Sequence, residues 1–159
     1  MKKIKQVFLL FAVLLGVIWL AYMPLLTAYA AYRNEKYLSE IKQFDAASYT
    51  IFKAFIDDVE AKTDWHVWIV SGYRSEESQA ILKKINPKNA PAGQSKHNSG
   101  KAIDMSVFKS SRFGAEWLSK SSSKRAWENS QITVIAQVHK LNWGGNFKHY
   151  HDPVHFEIH

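Results

Sequence analysis

Two short stretches of the chain concentrate the side chains that bind metals and move protons. One is Ser95-Lys96-His97-Asn98-Ser99-Gly100-Lys101-Ala102-Ile103-Asp104; the other, close to the last residue, is Asp152-Pro153-Val154-His155-Phe156-Glu157. A catalytic zinc takes three protein ligands, drawn from neutral imidazole and ionised carboxylate, and keeps a fourth position open. His97, Asp104 and His155 meet that need. Asp152, three residues before the last histidine, adds a carboxylate that can work on water activated by the metal. These types and spacings predict a zinc hydrolase.

The elements that carry such a site follow from local pattern. The spacing from His97 to Asp104 does not suit neighbouring turns of one helix, and Gly100 falls between them where a chain commonly turns. Residues 102–108 alternate as a half-buried strand does, which puts Asp104 on one face with Ala102 and Ser106, away from Ile103 and Met105. His151-Asp152-Pro153-Val154-His155 invites a rival reading, since it looks like the HExxH helix of zinc proteases with Asp for Glu. Pro153 opposes it, because a proline inside a helix removes a hydrogen bond and crowds the preceding turn at a cost of about 3 kcal/mol. Residues 154–158 alternate instead, with His155 and Glu157 on one face.

Ser95-x-His97 followed by Gly100 and Asp104, with Gly72-Tyr73-Arg74-Ser75 upstream and Trp143-Gly144-Gly145 leading to Asp152-x-x-His155-Phe156, resembles the zinc peptidases of bacterial cell walls. That family groups D-Ala-D-Ala carboxypeptidases and dipeptidases with L-alanyl-D-glutamate endopeptidases, including phage endolysins, and shares its fold with the Hedgehog signalling domain. The resemblance covers residues 41–159. It implies that His97, Asp104 and His155 bind Zn2+, that Asp152 is the general base, and that Arg74 holds a substrate carboxylate or developing oxyanion. A planar guanidinium suits that task through two parallel hydrogen bonds. Gln79 and Ser95 fall near family motif positions and are expected as substrate contacts or supports. His149 and His151 flank the site as candidate substitute ligands or outer partners. The Trp-Gly-Gly run and an Asp before the last His look most like the endopeptidase branch. The alternatives are a D-Ala-D-Ala carboxypeptidase and a non-catalytic, zinc-containing module that binds stem peptides.

Taken singly, each of these residues is most often a surface or structural one. Their joint occurrence, in order, carries the zinc reading. The chain has no cysteine, so neither a disulfide nor a thioester-linked lipid is available. The formal charge of +7 points to anionic polymers or headgroups without choosing among them. With no nucleic-acid motif or basic helix, no nucleic-acid partner is expected.

Lys2, Lys3 and Lys5 precede an uncharged run over residues 7–23. Leading lysines ahead of such a run predict a single-pass segment whose following domain is exported, so that the partners are the cytoplasmic membrane and, beyond it, peptidoglycan stem peptides. Ala28-Tyr29-Ala30 also has the small-x-small pattern of a signal-peptidase site, which would leave Ala31 as the new N-terminus. The expected organisation is a membrane anchor or signal peptide over 1–32, a polar connector over 33–40 and a peptidase domain over 41–159. In the last, helical spacing predicts helices over 40–62, 75–85 and 127–141, strands over 65–73, 102–108 and 154–158, and loops over 86–94 and 119–124. That order implies α+β, an antiparallel sheet cradling the metal with helices packed behind it.

Overall fold

The computed structural model describes residues 2–112 and 114–159, with the side chains of residues 2–9, 12, 15 and 19 outside that description. Helices α1 (Lys2–Phe44) and α2 (Ala46–Lys62) precede strand β1 (His66–Ser71) and helix α3 (Glu76–Ile85). Strands β2 (Ala102–Ser111) and β3 (Gly114–Leu118), helices α4 (Lys124–Asn129) and α5 (Ile132–Val138), and strands β4 (Leu141–Trp143) and β5 (His155–Ile158) complete the order. The sheet runs β1-β2-β5-β4, with β3 paired to the far end of β2, and every pairing is antiparallel. The expected α+β architecture is therefore present.

Strand alternation sorts β2 into two faces. Ile103, Met105 and Val107 are fully buried and meet Phe52, Phe55 and Val59 of α2, Trp127 of α4 and Ile132 and Ala136 of α5 in one core. Asp104, Ser106, Phe108 and Ser110 lie on the opposite, outer face. Apolar burial at period two on β2 thus sets the direction of Asp104.

Residues 33–40, expected as a connector, are helical and part of α1. This segment lies along the free edge of β1 and covers it. The Asn34 amide donates to Val67 O and accepts from Ile69 N, both at 2.8 Å, and so replaces a neighbouring strand. An edge closed in this way cannot pair with another chain, and leaving those buried groups unpaired would cost about 1–3 kcal/mol each. Leu38 and Ile41 then enter the core. The helix expected over 40–62 is two helices. Asp45, in extended conformation, caps α2 by accepting from Ala47 N and Ser48 N, which ends α1 at Phe44.

The helix expected over 127–141 is also divided. Gln131 takes a left-handed backbone (φ 67°) between α4 and α5, and residues 141–143 form β4 rather than a last helical turn. Among the described residues no helix is long and apolar enough to cross a membrane. The segment expected to do so lies partly outside the described residues.

Candidate metal centre

β2 and β5 pair with Asp104 opposite His155, so two of the expected ligands meet by strand register alone. His97 arrives from a 3-10 turn, Lys96–Ser99, that Ser95 and Asn98 close at its start and Gly100 (φ 68°) ends. Gly100 leaves the turn in the left-handed region that glycine enters without strain. The ligand atoms of His97, Asp104 and His155 lie within 4.8 Å of one another, a group able to hold a metal ion.

Hydrogen bonds assign each imidazole a working nitrogen. His97 Nδ1 is 2.7 Å from Gly72 O, which requires a proton on that nitrogen and leaves Nε2 facing Asp104 Oδ1 at 3.3 Å. His155 presents Nδ1 to the same Oδ1 at 2.9 Å, while its Nε2 pairs with Glu157 Oε2 at 3.1 Å. Two imidazoles aimed at one carboxylate oxygen, each tied at its far nitrogen to an acceptor, form the donor set and outer partners that a metal site of this kind uses. The residues fit zinc. Burial works to raise the Asp104 pKa, but hydrogen bonds from His155 and His97 outweigh it and hold the carboxyl far below its usual range. Burial likewise lowers the His155 pKa, and its bonds to Asp104 and Glu157 reverse this and raise it to about 9 in the metal-free form. The His155 bond in turn depresses Glu157.

Arg74 stands beside this group, its guanidinium 3.4 Å from Asp104 Oδ2 and bonded to Ser71 Oγ and Gln79 Oε1, both at 2.8 Å. Gln79, expected as a substrate contact or a support, is 1% exposed and has both ends committed, to Arg74 and to Ala90 O. Its place is behind Arg74, as a brace. Ser95 is likewise a support, accepting from His97 N at 3.3 Å. Asn98 donates to Arg74 O at 2.7 Å and accepts from Gly93 N, so one amide joins the His97 turn to the Arg74 loop. The Ser95-x-x-Asn98 spacing is the signal that could have found it, by analogy with the capping box.

Asp152 opens the turn into β5, with its carbonyl accepting from His155 N at 3.1 Å. Gly144 makes room for that turn, since a Cβ there would stand 2.5 Å from Asp152 O and 2.9 Å from His155 Cβ. Trp143 Nε1 donates to Pro153 O at 2.8 Å and pins the same segment. Among the described residues Asp152 Oδ1 is buried without a hydrogen-bond partner, and Oδ2 lies 3.5 Å from Lys120. Residues 151–154 are not helical, and exposed His151 is outside the metal-binding group, which removes the HExxH arrangement. His149 is exposed and also outside it. Tyr150, between them, was not singled out by sequence; burial and the charges of Asp152, Glu157 and Asp104 push its phenol pKa up, so it borders the site.

Residues 88–158 match the family model described as D-alanyl-D-alanine carboxypeptidase. Over that segment, which is less than half of its length, the chain is similar to this peptidase family. A crystal structure of the Serratia marcescens L-Ala D-Glu endopeptidase ChiX is similar, with 20% identity, a TM-score of 0.50, and 66% of this chain and 75% of that one covered. At that identity the likeness speaks for the fold alone. The matched segment holds His97, Asp104, Asp152 and His155, while Arg74 precedes it. The match bears out the expected resemblance to the cell-wall peptidases and, with it, the expectation of a metallopeptidase.

Proposed function

We propose that the protein hydrolyses an amide bond in peptidoglycan stem peptides with zinc, and that it cuts between L-alanine and D-glutamate. The convergence of His97, Asp104 and His155 with Arg74 beside them carries this reading. Zinc held by these three residues would supply a Lewis acid that polarises the amide carbonyl and acidifies water. Asp152 is the base, because its buried Oδ1 has no other partner and is ready for a proton. It takes the proton that water loses and returns it to the leaving amine. Arg74 is braced by Ser71 and Gln79 and therefore offers its charge to the developing oxyanion without reorganising.

The endopeptidase assignment is supported by Trp143-Gly144-Gly145 and by Asp rather than Glu before the last ligand. Mass spectrometry of purified muropeptides after digestion decides it. Release of the stem from L-alanine is expected; loss of the terminal D-alanine alone would make it a carboxypeptidase, and intact but bound muropeptides would make it a binding module. We further place the domain outside the cytoplasmic membrane on an uncleaved anchor. The leading lysines support the orientation, and a helix that continues through Ala30 into the domain supports retention. A C-terminal periplasm-active reporter should work there, and a soluble full-length cytoplasmic product would overturn the placement.

A further inference from the structure

The outer face of β2 carries the metal site at one end and a second, unassigned cluster at the other. Asp104 and Ser110 are six residues apart on this strand, about 20 Å at the rise of an antiparallel strand. At the far end Phe108 packs with Trp117 of β3 at 4.9 Å between ring centroids, and Trp117 meets Trp68 at 5.7 Å. Tyr29 of α1 closes the cluster on Trp68 at 5.5 Å, and the Arg33 guanidinium lies 4.8 Å over the Trp68 ring. Trp117, Tyr29 and the neighbouring Tyr32 remain 39%, 52% and 71% exposed. Tyr29 and Arg33 join these rings to α1 just N-terminal to the Asn34 clamp, where α1 leaves the domain.

What leaves there is apolar. Leu10, Phe11, Val13, Leu14, Val17 and Ile18 are each more than half exposed, so no other described part of the chain covers them. By sequence the run over residues 7–23 carries no charge. A broad apolar helix face left uncovered needs a protein interior or lipid around it. Aromatic rings with polar edges collect where such a helix passes the headgroups, and cationic side chains there meet anionic lipid. The β2–β3 hairpin adds exposed Arg112 at that level, and Lys109, whose ammonium lies 3.4 Å from Glu116 and 4.5 Å over the Trp65 ring, adds its charge to the same hairpin.

We propose that the aromatic cluster and the β2–β3 hairpin rest on the headgroups of an anionic bilayer, while the metal site faces the wall at the other end of β2. This rests on the anchor reading above. No flexible tether separates the two, because α1 is helical through residue 44 and is clamped to β1 by Asn34. The domain is therefore held at one height and one orientation, and its reach is to stem peptides close to the membrane.

The absence of native cysteine allows single nitroxide labels on the full chain. Ser110→Cys reports the hairpin, Glu77→Cys the metal-site end and Leu14→Cys the apolar run. Each is reconstituted in phosphatidylglycerol vesicles and, separately, in phosphatidylcholine vesicles, and collisions with oxygen and with a water-soluble nickel chelate are compared. In phosphatidylglycerol the Ser110 label should lose most of its nickel collisions relative to the Glu77 label, and it should regain them in phosphatidylcholine or when Lys109→Glu and Arg112→Glu are added. A Ser110 label as open to nickel as the Glu77 label, with Leu14 in lipid, would overturn the inference and spare the anchor. A Leu14 label open to nickel would overturn the anchor and the inference with it.

Discussion

Asp104 and Asp152 are carboxylates with nearly equal exposure, 20% and 16% of the side chain, in very different surroundings. Asp104 stands on a strand where His97, His155 and Arg74 converge on its two oxygens. Such a carboxylate stays ionised and holds position, as a ligand must. Asp152 stands on a turn, and among the described residues one of its oxygens is buried without a hydrogen-bond partner and the other lies 3.5 Å from Lys120. The roles proposed above for the two acids, ligand and base, follow this difference in donors rather than the residue type.

The largest effects should come from the ligands on the Asp104 side. His97→Ala and His155→Ala should each lose zinc occupancy, read by metal analysis of the purified protein, while His151→Ala keeps it. Stoichiometric zinc in either ligand variant would break the assignment. Arg74→Lys should lower turnover about 100-fold with zinc retained, because a point charge cannot reproduce the braced guanidinium. Equal turnover would move Arg74 out of the reaction.

Glu157→Gln probes the outer partner of His155. Losing the charged acceptor at Nε2 should weaken zinc about 10- to 100-fold in a chelator competition, and an unchanged affinity would reduce Glu157 to a surface strand residue. A gentler effect concerns pH. His155 has its folded pKa raised from 6.5 to about 9 without metal, so its pairing stabilises the metal-free fold fully below 6.5 and is lost as pH rises through about 9. The depressed Asp104 and Glu157 act in the other direction and lose their contribution on acidification. Zinc must displace the His155 proton, so its apparent affinity should rise by up to about tenfold per pH unit across that window while metal-free thermal stability falls. A flat affinity profile would contradict the two-carboxylate environment of His155.

Much of this site was legible because it sits on strands. Alternation from Ala102 to Phe108 and from Val154 to Ile158 orients Asp104, His155 and Glu157, and the structure brings His155 and Glu157 together as one face requires. Glycine and proline marked the turns between them. Less was legible where an element's partner lies far away in sequence. The buried positions Ala30, Asn34, Leu38 and Ile41 of α1 have helical spacing, but they begin inside an apolar run and pass through a polar one, and only β1 shows why they are buried. Whether Gln79 is a substrate contact or a support was not legible, because the depth of a side chain is not written in its neighbours. Gln131 breaks the helical pattern with a conformation that glutamine does not announce.

The contrast between the two acids is tested most directly by measuring zinc content and muropeptide turnover in parallel on Asp104→Asn and Asp152→Asn. The first should lose its metal and its activity together. The second should keep one zinc per chain and lose at least about 100-fold in turnover, as removal of a general base does. Near-normal turnover of Asp152→Asn, or loss of its zinc to the extent seen for Asp104→Asn, would contradict the account.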